Sequence, residues 1–81
     1  MFELILDPIA EDQIAALPEE ALRPLADLFA LLEVAPWSGQ PYDPANLKAN
    51  MLTHAFGERG LATYVILDRQ REVYLIRVEW P

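Results

Sequence analysis

Residues 57–81, GERGLATYVILDRQREVYLIRVEWP, decide the fold, because two apolar runs flank the polar stretch DRQRE at 68–72. Runs rich in β-branched and aromatic residues on either side of a short polar turn predict a β-hairpin, with strands over 61–67 and 72–80. Both strands are nearly apolar on both faces, whereas antiparallel strands of a small domain usually have one solvated face. We therefore expect each face of the hairpin to be covered by another layer.

A strand and a helix are predicted at the start of the chain. Residues 1–6, MFELIL, are typical of a short strand. Asp7 followed by Pro8 indicates a helix start, because an aspartate caps free backbone N–H groups and a proline fits the first helical position. Pro18 then interrupts the helical pattern and separates this helix from a second one.

The second helix is predicted from Glu19 onward by an apolar stripe with spacings of three and four residues. The stripe consists of Leu22, Leu25, Leu28, Phe29 and Leu32. Pro24 lies inside it, and a proline lacks the N–H that an interior helical position donates. This predicts a kink or a helix boundary between Glu20 and Pro24, with the part from Leu25 to Leu32 packed on a sheet.

The region 34–50, VAPWSGQPYDPANLKAN, contains three prolines and a glycine and is predicted to be a long loop. It leads to a strand over MLTHAF at 51–56 and to a turn at 57–60. The resulting order, β-α-α-β-β-β, predicts an α+β fold in which a helical hairpin packs on a small antiparallel sheet. A chain of 81 residues is expected to form a single domain over 1–81.

The composition argues against several classes of function. Thirteen acidic and six basic residues give a net charge of −7, which argues against nucleic acid as a partner. The chain has no apolar run of about 18 residues, and MFELIL lacks a basic flank, so we expect no membrane span and no signal peptide. The absence of cysteine fits a cytoplasmic protein. One histidine with scattered carboxylates forms no metal-ligand spacing, so we expect neither a metal nor another cofactor.

Several short motifs together are similar to those of one protein family. LP at 17–18 lies between the predicted helices, APW at 35–37 follows the second helix, LK at 47–48 lies in the loop, and LIRVEW at 75–80 ends the last strand. In this order they resemble the RelE/ParE superfamily, the small toxins of bacterial type II toxin–antitoxin pairs. The resemblance implies a RelE/ParE-like fold and an antitoxin segment as partner. It also implies one of two activities, since ribosome-dependent members cut mRNA and ParE-like members inhibit gyrase.

The resemblance implies a degenerate active site in this chain. If Asp68 ends the third strand as in these toxins, the usual arginine falls on Ala62. The usual histidine or tyrosine falls on Trp80, and the following basic residue falls on Pro81. Only Lys48 matches plainly, in the loop. RNA cleavage of this type needs a base, an acid and cations that stabilise the charged transition state, and Ala62 supplies none of these.

Three residues remain as catalytic candidates, namely Lys48, His54 and Arg59. They would form a rearranged site if the protein were an active endonuclease. Catalysis by His54 requires a partner that its sequence motif does not contain, so a histidine without catalytic function in the sheet is the preferred interpretation.

The two faces of the hairpin follow from its register, since side chains alternate with a period of two. If Leu67 pairs with Val73 across a five-residue turn, one face consists of Leu61, Thr63, Val65, Leu67, Val73, Leu75, Arg77 and Glu79. In the resembled fold the helices cover this first set. The opposite set, left free of helices, consists of Ala62, Tyr64, Ile66, Tyr74, Ile76, Val78 and Trp80. An exposed apolar patch rich in tyrosine and tryptophan is typical of an interface. The predicted interface residues are Tyr64, Ile66, Tyr74, Ile76 and Trp80.

Three hypotheses about function remain open. The first is a toxin-fold protein that acts by protein binding without nuclease activity, its partner being an antitoxin-like protein or a second copy in a homodimer. The second is an active ribosome-dependent mRNA endonuclease with a rearranged site. The third is an unrelated small interaction domain. A competing cover for the helix-free face is the chain itself, through the loop 34–50 with Pro36, Trp37 and Tyr42.

Overall fold

The computed structural model describes residues 1–46 and 49–81. In these residues the chain forms five strands, two α-helices and one 3-10 turn. In chain order they are β1 (Glu3–Leu6), α1 (Pro8–Ala15), α2 (Glu19–Val34), the 3-10 turn (Pro36–Ser38), β2 (Gln40–Pro41), β3 (Met51–Phe56), β4 (Gly60–Leu67) and β5 (Glu72–Glu79). The order agrees with the prediction except for β2, a two-residue strand inside the predicted loop.

The strands form one sheet in the order β1-β5-β4-β3-β2. β1 is parallel to β5, and the other neighbouring pairs are antiparallel. The predicted α+β class is confirmed, but the sheet is mixed rather than purely antiparallel. Parallel neighbours need a long connection between them, and the chain between Leu6 and Glu72 supplies it.

The start of α1 follows the predicted capping chemistry. Asp7 is the N-cap residue, and its Oδ2 accepts the N–H of Ile9 at 2.9 Å. Pro8 occupies the first helical position, where its missing N–H would have no helical partner. A three-residue connection then leads from the end of this short helix to α2, so that both helices pack on the same side of the sheet.

Of the two alternatives predicted at Pro24, the helix boundary is wrong, because α2 continues through this residue from Glu19 to Val34, and the kink stays a prediction. Pro24 is the sixth residue of the helix and cannot donate to the carbonyl of Glu20. Glu20 is exposed, so water can satisfy that carbonyl, and the single lost hydrogen bond does not end the helix.

The core lies between the two helices and one face of the sheet. α2 contributes Leu25, Leu28 and Leu32, which confirms the predicted Leu25–Leu32 stripe, whereas Leu22 is 46% exposed. The buried apolar residues are Phe2, Ala10, Ala21, Leu25, Leu28, Leu32, Leu52, Phe56, Ala62, Tyr64, Ile66, Val73, Leu75 and Val78.

The register of the β4–β5 hairpin differs from the predicted one by one residue. Leu67 lies opposite Glu72 rather than Val73, because the turn contains four residues, 68–71, instead of five. Arg71 closes this turn in the left-handed conformation, at φ 56°. Since side chains alternate with a period of two, a slip of one residue exchanges the faces of one strand relative to the other.

A β-bulge near the middle of β5 changes the alternation a second time. Leu75 lies opposite Tyr64 and Arg77 lies opposite Thr63, so Ile76 is the extra residue. Beyond the bulge the N–H of Val78 donates to Oε1 of Gln13 on α1 at 2.7 Å. The first helix therefore satisfies a backbone donor of the strand that carries the bulge.

Together, the slip and the bulge decide which side chains the helices cover. The covered set of the hairpin is Ala62, Tyr64, Ile66, Val73, Leu75 and Val78, all of them in the core. Trp80 also packs against this core. The predicted face assignment is therefore correct for Val73, Tyr74, Leu75 and Ile76. It is wrong for the rest of the hairpin, since the helices cover Ala62, Tyr64, Ile66, Val78 and Trp80 and leave free Leu61, Thr63, Val65, Leu67, Arg77 and Glu79.

Candidate functional site

The candidate site is the side of the sheet that the helices leave open, which we call the helix-free face. Its members follow from the alternation of side chains around the buried ones and from the cross-strand register. They are Glu3, Ile5, Gln40, Met51, Thr53, Ala55, Leu61, Thr63, Val65, Leu67, Glu72, Tyr74, Ile76, Arg77 and Glu79.

An apolar row crosses four strands of this face. Ile5 lies opposite Tyr74, Tyr74 lies opposite Val65, and Val65 lies opposite Met51. All four side chains are half-buried, and we call them the apolar belt. Apolar side chains that line up across neighbouring strands stabilise a sheet by direct contact, but here their outer surfaces are left without a covering layer among the described residues.

A polar row lies beside the apolar belt. Gln40 lies opposite Thr53, Thr53 lies opposite Thr63, and Thr63 lies opposite Arg77. Nε of Arg77 is 3.2 Å from Oε1 of Glu79. Within the described chain the hydroxyl of Thr63, which is fully buried, has no hydrogen-bond partner. The helix-free face is therefore amphipathic, with an apolar and a polar half.

Tyr74 is held in place by a hydrogen bond to the start of α1. Its hydroxyl donates to Oδ1 of Asp7 at 2.5 Å, while the other carboxylate oxygen of Asp7 caps the helix. The Tyr74 hydroxyl, together with the N–H of Ile9, lowers the pKa of the Asp7 carboxyl. The same hydrogen bond raises the pKa of Tyr74. The central aromatic ring of the apolar belt is thus fixed at both of its ends.

Three of the five predicted interface residues lie away from the helix-free face. Tyr64 is fully buried, and its hydroxyl donates to the carbonyl of Pro36 at 2.7 Å. Ile66 is 1% exposed. The ring of Trp80 stacks in a tilted geometry on Phe56, with centroids 5.6 Å apart. These side chains lie on the core side because the hairpin pairs one residue away from the assumed register and, for Trp80, because the bulge at Ile76 reverses the alternation beyond it.

Two of the five predicted residues, Tyr74 and Ile76, do lie on the helix-free face. Sequence reasoning wrongly assigned Val65 to the helix-covered face and missed Ile5 and Met51, which complete the apolar belt. Alternation of side chains along MFELIL and MLTHAF would have placed them, but only if the pairing of these strands with the hairpin were known. That pairing is a long-range feature that the local sequence does not encode.

The catalytic candidates are not gathered in one cavity. His54 lies opposite Ala62 and so projects to the helix-covered side, at the edge of the sheet, with Nδ1 2.8 Å from the carbonyl oxygen of Ala55. It lines a cavity with Leu28 and other residues, whereas Arg59 lines a different cavity with Trp80. Lys48 lies outside the described residues. Within residues 1–46 and 49–81, no group of three or more potential ligands could hold a metal ion.

In the described part of the loop 34–50, neither aromatic ring is buried against the helix-free face. Trp37 is 53% exposed and Tyr42 is 47% exposed, so neither ring packs as a lid. Pro36 is tied to Tyr64, which lies on the helix-covered side. Gly39 passes so close to this tyrosine that an added Cβ would approach its hydroxyl within 2.4 Å. These contacts anchor the start of the loop on the opposite side of the sheet.

The architecture defines the class of fold as that of the RelE-like toxins, which confirms the resemblance at the level of the fold. A chain in the crystal structure of the intact E. coli RelBE toxin–antitoxin complex matches with a TM-score of 0.78 and 16% sequence identity. The match covers 100% of this chain and 98% of that chain. No protein-family model and no curated protein matches the sequence. Among the described residues, none of the helices has the length and apolar character needed to cross a membrane.

Proposed function

We propose that this RelE-like domain acts by binding another protein through its helix-free face, in the cytoplasm and without cutting RNA. The observation that carries the proposal is the apolar belt. A row of half-buried apolar side chains, with a tyrosine at its centre, is left without a cover by the described chain. Apolar patches that a domain leaves partly exposed in this way mark interaction sites.

The charges on the helix-free face favour a protein over a nucleic acid as the partner. Arg77 is the one cationic side chain that the described residues place there, and Glu79 lies beside it. Glu3 and Glu72 lie opposite each other at one end of the same face. Cleavage of RNA needs cations around the reacting phosphate, and one arginine that is opposed by a carboxylate is a poor substitute for such a cluster.

An antitoxin-like protein is the partner that we propose, with a second copy of this chain as the alternative. The similar solved chain belongs to a toxin–antitoxin complex, which favours the heterologous partner. The amphipathic division of the helix-free face fits either occupant. It would take a surface that presents apolar side chains to the belt and polar groups to the row containing Thr53, Thr63 and Arg77.

The experiment compares two charge substitutions on opposite sides of the domain. Val65→Glu places a carboxylate in the middle of the apolar belt, whereas Leu22→Glu does so at an exposed position of α2. Each tagged protein is isolated from its host cells, checked for folding by circular dichroism and weighed by native mass spectrometry. We expect the wild type and Leu22→Glu to be isolated as the same complex, and Val65→Glu as a folded monomer, because binding would bury its new charge without a partner. A folded Val65→Glu protein that keeps the complex would contradict the proposal, as would a wild type that is monomeric.

A further inference from the structure

The outer edge of β3 is paired along only part of its length. Gln40 lies opposite Thr53, and the N–H of Tyr42 donates to the carbonyl of Met51. N-terminal to Gln40 the chain is no longer a strand, since Gly39 directly follows the 3-10 turn Pro36–Ser38. No strand of the described chain lies beside the remaining edge of β3 from residue 54 to residue 56.

The backbone of Ala55 is the part of this edge that is open to pairing. In an antiparallel ladder, successive residues direct their N–H and C=O groups to opposite neighbours. Met51 and Thr53 direct theirs toward β2, so Ala55 directs its own groups outward as well. Nδ1 of His54 lies 2.8 Å from the carbonyl oxygen of Ala55, which leaves the N–H of Ala55 as the group without a described partner.

Two cavities meet at this open backbone. A cavity of about 260 Å³ lies between α2 and β3, and its apolar wall includes Leu28, Leu31 and Phe56. A second cavity of about 200 Å³ lies at the end of β2, beside Gly39 and Thr53. His54 and Ala55 line both cavities. We call the two cavities, with the backbone of Ala55 between them, the edge groove.

We propose that the edge groove binds an extended segment of a partner protein, which adds to the sheet beside Ala55. Strand addition obtains its affinity from backbone hydrogen bonds and its specificity from pockets for alternate side chains. An unpaired backbone N–H between two cavities provides both elements. The groove shares Gln40, Thr53 and Ala55 with the edge of the helix-free face, but it contains no residue of the apolar belt. This inference therefore does not depend on binding at the apolar belt.

The charges around the groove specify the chemistry of the segment. Asp27 lines the cavity on the α2 side, next to the apolar wall formed by Leu28 and Leu31. Leu31 is 37% exposed, so its side chain is available for contact. The chain as a whole carries a net charge of −7. The segment that fits is therefore extended, with an apolar side chain for this cavity and a lysine or arginine next to it that pairs with Asp27.

The test uses peptides selected from a random phage-displayed library on the immobilised full chain and then synthesised. Ala55→Pro removes the outward N–H at a position where no described strand pairs, and edge positions tolerate proline. Ala55→Val keeps the N–H and is the matched control. We expect the selected peptides to combine apolar and basic residues, and Ala55→Pro to weaken them about tenfold or more. Ala55→Val, which keeps the N–H, should bind them more tightly than Ala55→Pro does, and Leu22→Glu, at an exposed position of α2 that lines neither cavity, should bind them as the wild type does.

A second variant keeps the proposal testable if Ala55→Pro does not fold. Leu31→Glu changes an exposed residue of α2 that lines only the cavity on that side, and it should also weaken the peptides about tenfold. Three results would overturn the proposal: unchanged binding to folded Ala55→Pro or to Leu31→Glu, loss of binding in Val65→Glu instead, or failure to select any peptide. The Val65→Glu result separates the edge groove from the apolar belt, so each proposal can fail alone.

Discussion

The hydroxyl of Tyr64 connects the start of the loop to the core through one hydrogen bond. Removing this hydroxyl should lower the stability of the fold. Its hydroxyl donates to the carbonyl of Pro36 at 2.7 Å, and both residues are buried. Tyr64→Phe keeps the ring but leaves that carbonyl without its donor. An unsatisfied buried polar group costs about 1–3 kcal/mol, which is a large fraction of the stability of about 5–15 kcal/mol that is typical of a domain.

The assay for this prediction is urea denaturation followed by circular dichroism. We expect Tyr64→Phe to lower the free energy of unfolding by about 1–3 kcal/mol with an unchanged dependence on urea. Tyr42→Phe is the matched control, because this tyrosine is 47% exposed and should change stability by less than about 0.5 kcal/mol. A Tyr64→Phe protein as stable as the wild type would show that the side chain is not in the core.

The raised pKa of Tyr64 leads to a prediction of how the stability of the fold changes at alkaline pH. Burial raises the pKa of Tyr64 to about 12. Because the pKa in the folded state lies above its ordinary value, the stabilisation is complete below the ordinary pKa of about 10. It is lost as the pH rises from there through about 12, to an extent on the order of 2–3 kcal/mol. Tyr64→Phe should lack this alkaline loss, and an identical pH profile in both proteins would refute the reasoning.

Three further predictions concern the core, the end of the chain and RNA. Leu28→Ala should lower the free energy of unfolding by about 2–5 kcal/mol, because Leu28 is 4% exposed on the sheet side of α2. Leu31 is 37% exposed, so if Leu31→Ala loses as much stability in urea as Leu28→Ala does, the packing is contradicted. Trp80→Asp should destabilise the monomer rather than only break a complex, since the ring packs on Phe56; an unchanged melting temperature would contradict this placement. Translating ribosomes should leave mRNA uncut when the protein is added, and RNA affinity should be absent at low salt; cleavage that is abolished by His54→Ala would restore the endonuclease hypothesis.

The sequence was sufficient to predict the two helices and four of the five described strands, because each of these is marked by local chemistry. Asp7 and Pro8 mark the first helix, and the leucine spacing marks the second. Pro24 misled the prediction of a boundary, since one missing hydrogen bond near an exposed first turn is tolerated when the leucines beyond it are buried. Local propensity was overridden there by packing.

The face of each strand could not be derived in the same way. The register depends on Arg71, which adopts the left-handed conformation. Glycine or asparagine usually occupies such a position, so the sequence DRQRE does not predict this turn. The bulge at Ile76 is accompanied by a hydrogen bond from Val78 to Gln13, which is 65 positions away in sequence. A turn conformation and a long-range contact therefore decided which tyrosine entered the core and which stayed on the helix-free face.

The most direct test of the proposed binding function is photo-crosslinking from two leucine positions of similar exposure. Leu61 is 37% exposed on the helix-free face, and Leu22 is 46% exposed on α2. A photoreactive phenylalanine analogue is placed at one or the other position, the protein is expressed in its host, and adducts are resolved by mass after irradiation. If the helix-free face binds a protein, position 61 should give one discrete adduct, with the mass of an antitoxin-like protein or of a second copy, and position 22 should give none. Absence of an adduct at position 61, or the same adduct from both positions, would contradict a protein-binding function for this face.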